Sequence, residues 1–371
     1  MSWPLVKLHD ICKPKQWKTI AASNLLEAGY PVYGANGKIG FYSDFTHELP
    51  TLMITCRGAT CGNVHISEPK SYINGNAMAL DDIDSSIVLI KYLYYFFLKR
   101  KFNDVISGSA QPQITGQGLT KVEIPLPPLA EQKRIAAILD KADAIRRKRE
   151  QAVQLADDFL RAVFLDMFGD PVMNPKGFPI SKLGDFCEDL FLGLTSKVDY
   201  IDGRDGFPLI RAKDINTGEL SLDGARYISE KQHQKLTKNH LTRKGDLLVS
   251  KSGTLGTCAI VRTDREFSTY ESIFTVRPSK TKLDIHYLIH LLQNKGFKER
   301  LVGNKVGGTV AHLNLKMFRD FEIGIPPIEL QTLFSKTIIK CETKLEKYRK
   351  SSLESDFLFN SVSQKAFSGK L

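Results

Sequence analysis

The feature that most constrains this chain is a proline-to-helix transition that occurs twice. Ile124-Pro125-Leu126-Pro127-Pro128-Leu129-Ala130-Glu131-Gln132 is matched 199 positions later by Ile323-Gly324-Ile325-Pro326-Pro327-Ile328-Glu329-Leu330-Gln331, and the same offset carries Phe168 onto Phe367. Between those ends Asp158-Phe159-Leu160 matches Asp356-Phe357-Leu358 with a slip of one residue. A weaker match lies upstream, where Pro4-Leu5-Val6-Lys7-Leu8-His9-Asp10-Ile11-Cys12 resembles Pro179-Ile180-Ser181-Lys182-Leu183-Gly184-Asp185-Phe186-Cys187 at an offset of 175. The second copy has therefore gained about two dozen residues between its start and its helix. A chain of 371 residues that repeats on this scale forms two similar units rather than one larger core, a shape suited to touching something twice.

Each transition opens a long helix. From Ala130 to Phe168 there is no Pro or Gly, and apolar residues return every three or four positions through Ile135, Leu139, Ala142, Ile145, Ala152, Ala156, Phe159 and Val163. Prolines 125, 127 and 128 keep the chain extended before it, and Gly169-Asp170-Pro171 stops it. At 1.5 Å per residue the helix is roughly 58 Å long. The second copy runs from about Ile328 to Phe367, with its seam at Phe334, Ile338, Cys341, Leu345, Tyr348, Phe359 and Val362. A narrow apolar stripe of this length is best covered by another of equal length, which predicts an antiparallel coiled coil of the two helices. The basic run Arg146-Arg147-Lys148-Arg149 reads as a solvated face of the first helix rather than a phosphate grip.

Outside the helices, β-branched and period-two stretches such as Leu52–Thr55, Asp246–Ser250 and Ser272–Val276 alternate with Gly, Asn and Lys turns. One helix per half is expected, over Ser86–Lys101 and Leu283–Lys298. Each half is thus predicted to be an α+β domain on a loop-rich, mostly antiparallel sheet. The loops share a chemistry of close backbone approach and hydrogen bonding. Candidate DNA-contacting residues are Asn36, Lys38, Thr55, Arg57, Thr60, Gln111 and Gln113 in the first half, and Arg211, Lys213, Lys251, Ser252, Thr254, Lys305 and Thr309 in the second. Glycine lets backbone come close to a grooved surface, Ser, Thr, Lys and Arg suit phosphate oxygens, and Asn, Gln and Arg bond base edges in pairs. The same loops also serve as ordinary turns; Gly58-Ala59-Thr60-Cys61-Gly62 and Ser252-Gly253-Thr254-Leu255-Gly256, which resemble each other, carry the strongest signal.

Net charge is +11, spread through the chain with acidic residues interleaved, which permits a nucleic-acid partner without requiring one. No stretch approaches the roughly eighteen apolar residues of a membrane span, the first residues lack a secretory pattern, and the six cysteines contain no Cys-x-x-Cys; a cytoplasmic protein is expected. Catalytic motifs are missing. There is neither a phosphate-binding Gly-x4-Gly-Lys-Ser/Thr sequence nor an Asp/Asn-Pro-Pro-aromatic tetrapeptide, and Asn174-Pro175-Lys176 is only a near miss in a turn. Glu131 with Lys133 and Glu342 with Lys344 are two apart on helices and face different ways. Cys56, Cys61 and His65 lack a fourth ligand and fit no standard zinc spacing, so neither a metal nor a catalytic site is expected.

Taken together, Ile124–Ile135 leading into Leu139-Asp140, the exit Phe164-Leu165-Asp166-Met167-Phe168-Gly169-Asp170-Pro171 and the C-terminal Ser363-Gln364-Lys365-Ala366-Phe367-Ser368-Gly369 resemble the conserved regions of specificity (S) subunits of type I restriction-modification systems. Pro31–Gly40 and Val249–Thr254 are similar to stretches of that family's target recognition domains. The resemblance covers essentially the whole chain. It implies target recognition domain 1 at 1–128, a central spacer helix at 129–169, target recognition domain 2 at 170–327 and a C-terminal spacer helix at 328–371.

It further implies that each domain reads one half of a bipartite, asymmetric double-stranded DNA site while the helix pair fixes the gap. Such a subunit is not itself an enzyme. It recruits two modification (methyltransferase) subunits, on which S-adenosylmethionine is expected, and the assembly can add restriction (translocase and endonuclease) subunits. Recognition domains are the variable parts of the family, so no base-contacting residue carries over by motif. Two other readings compete: a coiled-coil scaffold without a DNA role, which a flat salt dependence of DNA affinity would favour, and a stand-alone methyltransferase or nuclease, which S-adenosylmethionine binding or metal-dependent cleavage by the purified chain would favour.

Overall fold

The computed structural model describes residues 3–35, 37–108, 111–193, 198–202, 205–215, 218–251, 256–302 and 314–371. They gather into two compact units, one of residues 1–152 with 348–371 and the other of residues 153–347.

The first unit contains strands β1 (Leu5–Lys7), β2 (Lys13–Gln16), β3 (Tyr30–Gly34), β4 (Gly37–Tyr42), β5 (Leu52–Thr55), β6 (Val64–Ile66), β7 (Tyr72–Ile73), β8 (Ala77–Asp81) and β9 (Glu123–Pro125). An antiparallel sheet has the order β2-β8-β5-β6; a smaller one has the order β4-β3-β7, with β3 and β7 parallel. Strand β5 is apolar almost throughout because both its faces are covered. Leu52 and Ile54 join one core with Leu80 and the helix Ile90–Arg100, whereas Met53 joins another with Tyr33 and Ile73, as strand alternation requires. Strands β1 and β9 pair from Leu5↔Pro125 to Lys7↔Glu123, which ties the start of the chain to the prolines that precede the long helix.

The second unit repeats this plan with β10 (Ile180–Lys182), β11 (Cys187–Leu192), β12 (Tyr200–Ile201), β13 (Phe207–Ile210), β14 (Arg226–Ile228), β15 (Leu247–Ser250), β16 (Cys258–Ile260), β17 (Ser268–Thr269), β18 (Ile273–Pro278) and β19 (Glu322–Gly324). The order β11-β18-β15-β16 matches the larger sheet of the first unit, and β14-β13-β17 matches the smaller one, again with a parallel pair. Strand β12 extends the smaller sheet beyond β14, and β10 pairs with β19 as β1 does with β9. Phe207 and Leu247 are 40 positions apart, against 22 for Tyr30 and Leu52, so most of the added residues lie between β13 and β15, where they form the helix Glu230–Thr237.

Two long helices, Leu129–Phe168 and Ile328–Phe367, contribute to both units. In the first unit the opening turns of the central helix bury Ile135 and Leu139, while the end of the C-terminal helix brings Ala366, Val362 and Phe367 into the same core. Arg134 donates to the Leu371 carbonyl and Arg149 to that of Ser351, so the two helices run antiparallel there. In the second unit Phe164 and Phe168, at the end of one helix, pack on Phe334, near the start of the other, with ring centroids 5.7 and 5.2 Å apart. The architecture is α+β with mostly antiparallel sheets and an antiparallel helix pair.

Several local expectations are corrected. Ile145, Phe159 and Tyr348 are exposed; near the end of the central helix Leu160, Phe164 and Phe168 take the inward positions, because those turns pack onto the second unit's own core. The short helix begins at Ile90, not Ser86, because the Asp84 carboxylate binds the Ser86 amide in a turn and Leu89 is extended. Its counterpart ends at Gln293, where Asn294 turns extended and its side chain accepts from Phe297 N–H to start a new helix, Lys295–Val302.

Candidate nucleic-acid interface

In the first unit the β3–β4 turn and the loop after β5 are joined by one carbonyl. Thr55 and Thr60 hydroxyls both donate to Ala35 O, at 2.9 and 3.0 Å, and Thr55 is fully buried, so it lies beneath the loop. Arg57 is exposed and forms a β-bridge with Gln113; Gly58 N–H donates to Pro112 O and Ile114 N–H to Cys56 O. Gln111 and Gln113 are exposed beside it, so three predicted residues share one edge. Lys38 stands on β4, 3.2 Å from Glu68 and over the Phe41 ring.

The second unit builds the same junction through Ser272. Its hydroxyl accepts from Ala212 N–H at 3.1 Å and its carbonyl from Lys251 N–H at 2.8 Å, which sets Arg211 and Lys213 beside Lys251. Arg211 is committed to Asp214 through backbone and guanidinium, whereas exposed Lys213 reaches the Gly224 carbonyl at 3.4 Å. Gly62 and Gly256 close the two loops at φ +91° and +75°, each donating back to strand β5 or β15, which is a physical reason for the glycine that ends both resembling motifs. Asn36, Ser252, Thr254, Lys305 and Thr309 lie outside the described residues.

The basic run is largely occupied: Arg146 binds Asp143 and Glu150, Arg147 binds Asp143 and the Tyr94 hydroxyl, and Arg149 binds Ser351. A cavity of about 540 Å³ within the first unit, bounded by His65, Tyr95 and the Lys91–Asp140 and Arg147–Asp143 pairs, has its ionic groups already matched. Burial lowers the basicity of His65. Burial also pushes the thiols of Cys12, Cys187 and Cys258 up to about 12, far from a reactive thiolate. Among the described residues no group of His, Cys, Asp and Glu is placed to hold a metal ion, and no helix is long and apolar enough to cross a membrane.

Sequence reasoning missed what anchors the helices. Gln132, fully buried, accepts from Leu89 N–H at 2.9 Å and donates to Ile87 O and Pro127 O at 2.9 and 2.8 Å. Gln331, also fully buried, accepts from Asp284 N–H at 2.8 Å and donates to Lys282 O and Pro326 O at 3.4 and 2.7 Å. Both tyrosines that face these turns, Tyr92 and Tyr287, donate to the carbonyls of Pro125 and Gly324. The available signal was a glutamine at an identical place in both copies of the first helical turn, four residues after the second proline of the Pro-Pro pair.

Residues 2–155 and 175–355 match the family described as the type I restriction modification DNA specificity domain. The chain belongs to this family. It carries two specificity domains and is a DNA specificity subunit, a non-catalytic component. It is 25% identical over 355 residues to the EcoBI specificity subunit of Escherichia coli, covering 88% of this chain and 70% of that one. With the MjaVIII specificity subunit of Methanocaldococcus jannaschii it shares 20% identity over 397 aligned positions, covering 100% and 93%. The fold is that of the S subunit of a type I restriction-modification system from M. genitalium, with a TM-score of 0.64 at 16% identity over 99% of this chain and 96% of that one.

Proposed function

We propose that this specificity subunit reads a bipartite, asymmetric site on double-stranded DNA, with target recognition domain 1 (1–128) on one half and target recognition domain 2 (170–327) on the other. The spacer helices (129–169 and 328–371) set the gap. The carrying observation is the repetition of one reader-plus-helix unit down to its hydrogen bonds, with loops of different sequence at the reading edge. Different loops imply different half-sites and a non-palindromic target. Two half-sites read from one face of the duplex lie about one helical turn apart, centre to centre.

At the reading edge Arg57, Gln111 and Gln113 suit paired bonds to guanine and adenine edges, and Lys38, Lys213 and Lys251 suit phosphate. Thr55, Thr60 and Arg211 hold the loops, and Asn36, Ser252, Thr254, Lys305 and Thr309 complete the set.

The subunit assembles in the cytoplasm with two modification subunits, which carry S-adenosylmethionine, and with restriction subunits. Two copies of one partner need two like surfaces. Leu155 and Phe159 on the central helix, 60% and 53% exposed, recur as Leu353 and Phe357 on the C-terminal helix, 70% and 77% exposed. Both pairs have the one-turn spacing that puts side chains together.

The test is to co-purify the chain with its modification partner and select duplexes from a random DNA pool. A two-part motif with a constant gap is expected. A single short motif would mean that one domain reads alone, and no enrichment would leave the scaffold reading.

A further inference from the structure

Gln132 and Gln331 occupy the fourth position of their helices, and each amide joins three separate segments: the helix start, the proline turn before it and the chain leading into the domain's own short helix. Apolar contacts around them, such as Tyr92 with Phe367 and Tyr287 with Phe168, fill space but tolerate rotation. Hydrogen bonds are directional, so an amide that accepts once and donates twice fixes both tilt and rotation of the helix at its root. The lever is long. A helix of about 60 Å tilted by about 5° at one end moves its other end by about 5 Å, more than the roughly 3.4 Å between successive base pairs.

We infer that the paired glutamines are positioning residues for the gap: they set the angle at which each spacer helix leaves its reader, and thereby which single gap length is accepted. This rests on the reading of a bipartite site with a fixed gap. The residues touch no base, so they leave the two half-site sequences alone.

The experiment selects bound duplexes with the whole subunit and its modification partner, comparing wild type with Gln132→Met, Gln331→Met and the double variant. Methionine keeps length and burial and removes all three bonds. The expected result is unchanged half-sites with a broadened gap, duplexes one base pair longer or shorter rising at least tenfold, most in the double variant. Uniformly weaker binding with a single sharp gap would reduce the glutamines to structural residues and overturn the inference. If Gln132→Met fails to fold, Gln331→Met alone is read in the same selection; a sharp gap there counts equally against the inference. A wild type without a two-part motif would refute the functional reading itself.

Discussion

At the root of each long helix the two units agree bond for bond, and at the reading edge they part. Gln132 and Gln331 bind equivalent carbonyls and amides, and Tyr92 and Tyr287 donate to equivalent carbonyls. By contrast Gly34-Ala35 in one unit stands where Arg211-Ala212 stands in the other, and among the described residues the first junction holds Thr55 and Thr60 on the Ala35 carbonyl while the second holds Ser272 on the Ala212 amide. The difference teaches that the two units share the buried polar groups at the helix roots, whose loss would leave partners unsatisfied, and differ in the loops of this junction.

The largest test of the agreement is at its aromatic ends. Phe168 is buried among Phe164, Phe178, Tyr287 and Phe334, and Phe168→Ala is expected to destabilise the second unit by roughly 3–5 kcal/mol. Phe367, half-buried against Tyr92 and Phe96, should cost the first unit less. Urea unfolding separates the two, because Trp3 and Trp17 both report on the first unit while circular dichroism follows the whole. Equal losses would mean that the two ends contribute alike and that the difference in burial between Phe168 and Phe367 carries no difference in stability.

A second test uses a position where the cores differ. His290 stands in the place of Tyr95, and burial, helped by neighbouring His286, holds it down to about 4. An unfolded histidine titrates near 6.5, so between roughly pH 6.5 and 4 the unfolded chain binds the proton and the folded one does not. The second unit should therefore lose about 2–3 kcal/mol as pH falls through that window, stability that is fully present above it. His290→Tyr should flatten this acid slope in denaturation midpoints measured at pH 7 and pH 5. An unaltered slope would place the acid sensitivity elsewhere.

The reading edges give the finest comparison. Arg57→Ala is expected to weaken DNA binding by roughly 1–3 kcal/mol and to relax preference in one half-site only, whereas Lys251→Ala, if a phosphate contact, should weaken binding evenly and lower the salt slope. Titrations at several salt concentrations with half-site variants check both, and unchanged affinity and preference would remove these residues from the interface.

The repeat itself was legible because prolines, a glutamine and terminal aromatics sit at fixed offsets, and β5 and β15 were legible as apolar runs. The inward face of the central helix was not: Ile145 and Phe159 continue the period but are exposed, since which face is buried depends on which core the helix meets along its length. Nor could sequence separate Thr55, buried under its loop, from exposed Arg57 two residues on. That distinction is made by the Ala35 carbonyl, twenty residues away in the chain.

The first unit is assembled from two distant pieces of sequence, residues 1–152 and 348–371. During synthesis it must therefore wait: the ribosome makes the whole of the second unit before Phe367 and Ala366 exist to cover the aromatic face of the helix Ile90–Arg100. The part of the molecule made first is the part finished last.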